Sequence, residues 1–378
     1  MKKILIITHD DLRGGSARSI TAQIEYLKKN NLAEPIVITW KKNSLTKHLQ
    51  KKNLQCYPIT FNYTSVWTHH KTLHTIKRPY YRLFYNFTGY KHLKKIISFS
   101  EISLIISNSS VIDFGAYLHR KLKIPHIWYL REFGDLDFNI LPYIHNLPNY
   151  IEQNSSGIIA VSNAVAMHWH NRGIKKNIKV IYNGVINNFK PKPPKKLDST
   201  IKICMCGRLC SAKGQSVAIK SLTFLPKTIL EKIHLDFFGN GEHEKYLRNL
   251  TKQEKLEKYI SFKGFSNNLD NELNNYEIGL TLSNAEAFGR TTVEYMSHSL
   301  FVIASKTGGT PELLQNENLG ILVEPNNPKE VAEAIKTYHQ KREIFQSNLI
   351  NSQNYAMEKF STSTNAMLAY KFYEKFMK

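Results

Sequence analysis

Residues 286–294 read E-A-F-G-R-T-T-V-E, two carboxylates framing an F-G turn and the first turn of a helix. The run before it, Ile278-Gly279-Leu280-Thr281-Leu282, has the apolar character of a buried strand. The run after it, Thr291 to Met296, has helical spacing, with Val293 and Met296 on one face. Phe288, Gly289 and Arg290 therefore stand where a strand ends and a helix begins, with Thr291 in the first helical turn. The unpaired N–H groups of that turn make an anion site. Gly289 lets a bulky ligand approach the main chain. Glu286 and Glu294 are suited to hydroxyl groups rather than to phosphate. A ligand that combines phosphate with hydroxyls satisfies both features; the plainer alternative is a surface helix with two unrelated glutamates.

The remainder of the chain decides between these readings. At 378 residues it exceeds one compact core and implies two domains. Hydrophobic residues make up 42%, which supports sizeable cores and argues against disorder. No apolar run is long enough to span a membrane. Lys2-Lys3 followed by Ile4 to Ile7 resembles a signal start, but it runs into His9-Asp10-Asp11 and reads better as a first buried strand. Four cysteines do not make a disulfide framework. These features predict a soluble, cytoplasmic protein. Cys204, Cys206 and Cys210 lack a fourth ligand at zinc spacing and are expected to act as small apolar residues.

Short apolar runs alternate with amphipathic stretches in both halves. The first half opens with a strand (3–8), a loop Arg13-Gly14-Gly15-Ser16 and a helix; the second opens with a strand (201–206), a loop from Gly207 and a helix after Lys213-Gly214. This alternation predicts an α/β protein with two parallel, helix-covered sheets of Rossmann type, whose ligands bind at the carboxyl ends of the strands. The expected boundaries are 1–189, a proline-rich linker 190–200, 201–353, and a C-terminal helix 354–378 crossing back toward the first domain. Two such domains facing each other would place a site in a central cleft.

Arg208 and Lys213 bracket the segment Gly207-Arg208-Leu209-Cys210-Ser211-Ala212-Lys213-Gly214, directly after a strand. Two cations there suit a diphosphate whose charge grows as a bond to it breaks; the alternative is two solvated bases. Gly239-Asn240-Gly241-Glu242 is a further strand-to-turn segment, and Gly308-Gly309-Thr310-Pro311-Glu312 opens a helix with Pro near its start.

In order and spacing these segments resemble those of the retaining glycosyltransferases of family 4, which have the GT-B fold. The Gly14-Gly15 loop and Ile181-Tyr182-Asn183-Gly184-Val185 in the first half belong to the same pattern, so the resemblance spans nearly the whole chain. It implies that Arg208 and Lys213 hold the diphosphate of a nucleoside-diphosphate-sugar, with Gly207 in the same loop. It implies that Glu286 contacts the donor sugar, that Phe288 and Gly289 offer main-chain N–H groups, and that Glu294 binds the ribose. Gly15 would let the first loop approach the phosphates. A UDP-sugar is expected before a GDP-sugar, with no metal and no cofactor. Asp135-Leu136-Asp137 spells the metal-binding string of the other glycosyltransferase fold without that fold's surroundings.

The chain departs from the family at one point. Many members carry a histidine after the strand equivalent to Ile127 to Leu130, where this chain has Arg131-Glu132-Phe133-Gly134; His126 precedes the strand and is expected to point elsewhere. Arg131 or Glu132 is left to contact the sugar, the alternatives for Glu132 being a salt bridge to Arg131 or a helix cap.

The formal net charge is +22. Between Pro35 and Ser100 there is no Asp or Glu, while twelve Lys or Arg and twelve aromatics occur. With no nucleic-acid motif beside it, this stretch reads as a surface for anionic lipid on the inner face of the cell membrane, or as a solvated basic face. The acceptor expected is lipid-linked or a surface-polysaccharide precursor. A sugar-nucleotide epimerase of similar architecture and a polyanion-binding protein are the competing readings.

Overall fold

A computed structural model describes residues 1–12, 14–67, 74–187, 197–315 and 319–377. Arg13 of the first glycine loop and residues 190–196 of the expected linker lie outside the described residues. The chain divides into two compact units, Met1–Asn187 with Thr362–Lys378, and Asn188–Ser361.

The first unit contains β1 (Lys3–Thr8), β2 (Glu34–Thr39), β3 (Gln55–Pro58), β4 (Ser65–Trp67), β5 (Ile102–Ser107), β6 (His126–Leu130), β7 (Ile140–Pro142), β8 (Gly157–Ala160) and β9 (Ile178–Val180). Seven of them form a parallel sheet in the order β3-β2-β1-β5-β6-β8-β9, while β4 and β7 pair antiparallel. The inner strands are apolar throughout because helices cover both faces of a parallel sheet: Ile4 to Ile7, Leu104 to Ile106 and Ile127 to Leu130 are buried. The helix Thr362–Glu374 packs on the helix Gly15–Lys29. Beyond its end Phe376 lies against Gly157, where a Cβ would come 2.8 Å from the ring. In place of one helix from 354, the chain forms Arg342–Phe360 and Thr362–Glu374, broken at Ser361 by an extended backbone.

The second unit contains β10 (Ile201–Cys206), β11 (Ile233–Phe238), β12 (Ile260–Gly264), β13 (Ile278–Thr281), β14 (Phe301–Ser305) and β15 (Gly320–Val323). They form a parallel sheet in the order β12-β11-β10-β13-β14-β15. Ile203 sits opposite Leu235 on one side and Ile278 on the other. The order reverses between β10 and β13, so the loops leaving those two strands diverge and leave a crevice at their carboxyl ends. The core beneath includes Ile203, Leu235, Phe237, Leu280 and Phe301, all essentially inaccessible. Each such side chain contributes about 1.5–3 kcal/mol by leaving water. Glu277, buried just before β13, is held by Arg342 Nε at 2.7 Å and Tyr338 Oη at 3.0 Å, which ties the unit's last helices to the sheet.

One contact positions the helix that follows the F-G turn. Tyr295, fully buried in the helix Arg290–Ser297, packs against Gly279 of β13, where a Cβ would meet the ring at 2.2 Å. Its hydroxyl accepts the main-chain N–H of Cys206 at the end of β10, at 2.7 Å. The helix is therefore pinned to the two strands that flank the crevice. Replacing Tyr295 with Phe leaves that N–H without its partner. The variant should lose about 1–3 kcal/mol of unfolding free energy, measured by urea denaturation; an unchanged midpoint would show that this bond does not hold the helix.

Candidate active site

Three loops of the second unit meet at the carboxyl ends of β10, β13 and β14. The loop after β10 rests on the Gly239-Asn240-Gly241 turn: Gly207 N–H donates to Phe238 O at 2.9 Å and Leu209 N–H to Asn240 O at 3.1 Å. That contact accounts for the turn, whose glycines alone carried little meaning in the sequence. Arg208 projects from the loop with its side chain 71% exposed, and its Nε lies 3.0 Å from Glu242. Exposed pairs contribute about 0–1 kcal/mol, so Glu242 holds Arg208 only weakly.

Lys213 closes the same loop, and its Nζ lies 2.7 Å from Glu286 Oε2. The same carboxylate oxygen accepts the Ser283 hydroxyl at 3.0 Å. Asn284 N–H donates to Ala212 O at 2.9 Å, and the Thr307 hydroxyl to Ser283 O at 2.9 Å. Two glycines let these loops close on one another. A Cβ on Gly214 would lie 2.1 Å from Leu282 O, and a Cβ on Gly308 would lie 2.1 Å from Glu286 O. Both have positive φ, 76° and 52°, a region glycine enters with no Cβ penalty. Gly309 N–H completes the contact with a bond to Glu286 O at 2.8 Å.

Gly289 caps the helix Arg290–Ser297 with φ 97°. Phe288 is buried, its ring edge-on to Phe360 at 5.8 Å, so it can offer a ligand its main chain but not its ring. Thr291 is partly exposed. Arg290 and Glu294 lie one turn apart, with Nη2 3.7 Å from Oε1, both largely covered. The second unit thus brings Gly207, Arg208, Lys213, Glu286, Phe288, Gly289, Arg290, Thr291 and Glu294 to the loops and the helix at the carboxyl ends of the strands of one sheet. The sequence did not show that Lys213 and Glu286 touch: 73 residues separate them.

In the first unit, Gly14 caps the helix Gly15–Lys29, and its N–H donates to Asp11 O at 2.9 Å. Asp10, which in the sequence marks only the end of an apolar run, accepts the hydroxyls of Ser16 and, at 3.2 Å, Thr8 beside this glycine loop. Arg131 is buried; Nε donates to Asn108 Oδ1 at 2.9 Å, another nitrogen donates to Asn183 Oδ1, and the guanidinium stacks 3.7 Å from the Tyr129 ring. It lines a small hollow with Gln23, Tyr129, Asn183, Thr362 and Asn365.

Glu132 forms neither the salt bridge to Arg131 nor a helix cap. Its Oε1 accepts Ser109 Oγ at 2.7 Å, Ser110 N–H at 2.7 Å and Ser110 Oγ at 2.5 Å. Burial pushes its pKa up, against these hydrogen bonds, which favour the charged form. His126 is the first residue of β6 and faces the core, with Nδ1 2.6 Å from Asn154 O and Nε2 2.9 Å from Ser107 Oγ. Burial lowers its pKa to about 3.

The Asp-Leu-Asp string is divided between two structural tasks. Asp137 accepts the N–H groups of Phe133 at 3.0 Å and Gly134 at 2.8 Å, and burial, then Glu132, raises its pKa to about 7. Asp135 instead pairs with His168 at 2.9 Å. Among the described residues no three His, Cys, Asp or Glu side chains are grouped to hold a metal.

The family model for glycosyl transferases group 1 matches residues 186–353, and the model for glycosyltransferase family 4 matches residues 13–188. An uncharacterised glycosyltransferase of Methanocaldococcus jannaschii is 28% identical over 298 residues, 77% of this chain and 80% of that protein. A subunit of the phosphatidylinositol N-acetylglucosaminyltransferase of Saccharomyces cerevisiae is 27% identical over 252 residues, 61% of this chain and 54% of that one. Among solved structures, HepE of Anabaena in complex with UDP and glucose superposes with a TM-score of 0.78 at 19% identity, covering 99% of this chain and all of that one. Laid end to end, the two family models cover residues 13–353, and the chain belongs to the family 4 glycosyltransferases, with the GT-B fold.

Proposed function

We propose that the protein transfers a sugar from a nucleoside-diphosphate-sugar to a hydroxyl of a lipid-linked or surface-polysaccharide precursor. Retention of the anomeric configuration, a UDP-sugar rather than a GDP-sugar, and independence of metal and cofactor are part of the proposal. The observation that carries it is the 2.7 Å contact between Lys213 and Glu286. A cation for a diphosphate and a carboxylate for sugar hydroxyls stand side by side. The bond to be broken joins those two parts of such a donor.

The reaction then follows from charge. As the bond from the sugar C1 to the diphosphate oxygen lengthens, negative charge collects on the diphosphate, and Arg208 and Lys213 stabilise it. The acceptor oxygen bonds to C1 on the face the diphosphate leaves, and its proton passes to the departing phosphate oxygen. No carboxylate is assigned as a nucleophile; Glu286 is assigned to the sugar hydroxyls and Glu294 to the ribose. Gly14 and Gly15 are assigned to the approach of the first loop to the donor, and Arg131 or Glu132 to the sugar. Buried Glu132, with three serine donors on one oxygen, is the weaker of those two candidates. The relatives lend support: the Anabaena protein was crystallised with UDP and glucose, and the yeast subunit belongs to an enzyme named for phosphatidylinositol.

Replacing Arg208 or Lys213 with Ala should lower turnover about a hundredfold or more, the usual loss for one preorganised charge stabiliser. Rates within a few-fold of wild type in both variants would remove the cations from the mechanism. The two glutamates separate by calorimetry with the bare nucleoside diphosphate: Glu294→Ala should weaken binding, and Glu286→Ala should spare binding while reducing turnover. Equal loss of affinity in both would contradict the division of roles. Transfer should also persist in excess chelator; complete loss, restored by manganese or magnesium, would return Asp135 and Asp137 to consideration as ligands.

A further inference from the structure

The helix His74–Lys94 of the first unit is turned with polar residues inward and aromatic residues outward. On its inner side Arg82 grips the buried Asp113 with two bonds, Nε to Oδ2 at 2.7 Å and a terminal nitrogen to Oδ1 at 3.0 Å. Asn86 donates to the same carboxylate at 2.6 Å, and the Tyr150 hydroxyl does so at 2.6 Å. Gly89 sits against Thr60, where a Cβ would come 2.9 Å from the carbonyl oxygen, and Leu93 is fully buried. These contacts fix the rotation of the helix about its axis.

The opposite side carries Tyr80, Leu83, Phe84 and Phe87, spaced 3, 1 and 3 residues apart and 69%, 67%, 48% and 44% exposed. This is the spacing of one helical stripe. Tyr80 and Phe84 stack at 6.3 Å, which keeps the stripe continuous. Toward the helix end it passes into bases: Lys91, whose Nζ sits 4.5 Å above the Phe87 ring, and the exposed Lys94 and Lys95. The stripe carries no carboxylate, because none occurs between Pro35 and Ser100.

We infer that this helix is a membrane-docking element that lays its aromatic stripe into the interface of an anionic bilayer, with Lys91, Lys94 and Lys95 on the lipid headgroups. The occupant is set by chemistry. Exposed aromatics suit the boundary between headgroup and acyl chain, and lysines beside them match a negative surface. The structure also sorts the basic residues of this stretch. Arg82 is engaged with Asp113 and is withheld from lipid, so charge alone does not define the surface. The inference deepens the proposed lipid-linked acceptor and rests on that reading only for its biological purpose; docking itself is measured without any sugar.

The test uses the full chain with vesicles of phosphatidylcholine alone, or with 30% phosphatidylglycerol, in co-sedimentation at low and high salt. Wild type should bind the anionic vesicles at least tenfold better than the neutral ones, and lose that preference in high salt. Both Leu83→Ser/Phe84→Ser/Phe87→Ser and Lys91→Gln/Lys94→Gln/Lys95→Gln should bind anionic vesicles at least tenfold more weakly, with circular dichroism and Tm unchanged. An environment-sensitive dye on Leu83→Cys should shift to the blue on anionic vesicles, which reports insertion even if the multiple variants fail to fold. Equal vesicle binding by either folded variant, or no shift of the dye, would overturn the inference. So would concentration-dependent dimerisation that vanishes with the stripe, since a second copy would then be its occupant. Donor-sugar hydrolysis by the folded variants should remain at the wild-type rate, so a failure of docking is distinct from a failure of the proposed transfer.

Discussion

Main chain pressed against main chain is the constraint on which the donor-side geometry depends. Gly214 brings the loop after β10 onto the carbonyl of Leu282, and Gly308 brings the loop after β14 onto the carbonyl of Glu286. At 2.1 Å from those oxygens no Cβ fits. The result is that Lys213 and Glu286, on loops that leave adjacent strands in diverging directions, are held within a hydrogen bond of each other. Preorganised charge of this kind is what a group-transfer site needs, because no reorganisation remains to oppose the reaction.

The two cations differ in how they are held, and the difference has a physical use. Lys213 is half-buried and shares its carboxylate with Ser283, while Arg208 is largely exposed and meets Glu242 at the surface. A deep, fixed charge and a mobile, planar one are complementary. In the proposed reaction Lys213 would supply a point charge to the diphosphate, and Arg208 a fork that follows the diphosphate as its charge grows. The sheet order β12-β11-β10-β13-β14-β15 places both at its reversal, where a parallel sheet leaves room for a ligand.

Much of this was legible in the sequence because the signals were periodic or local. The runs at 3–8 and 201–206 became strands β1 and β10, and the F-G turn became the capped start of a helix. What escaped was non-local. Tyr295 looks like an ordinary helical aromatic until Gly279 and the Cys206 N–H are brought beneath it. Lys213 and Glu286 read as two separate residues, because sequence spacing carries no record of contact across strands. Strands β3, β4 and β7, of three or four residues each, were too short for a period to register. For Glu132 the sequence left a sugar contact, a salt bridge to Arg131 and a helix cap open; in space it turns to Ser109 and Ser110. The basic stretch was visible as composition, but only the Arg82–Asp113 lock shows which side of its helix faces outward.

The central claim is that the loops after β10, β13 and β14 hold a nucleoside-diphosphate-sugar, and a crystal structure with an intact UDP-sugar addresses it most directly. The account predicts the diphosphate within hydrogen-bond distance of Arg208 and Lys213, the sugar hydroxyls on Glu286 and the ribose on Glu294. A nucleotide bound elsewhere on the chain, or diphosphate density remote from both cations, would contradict it.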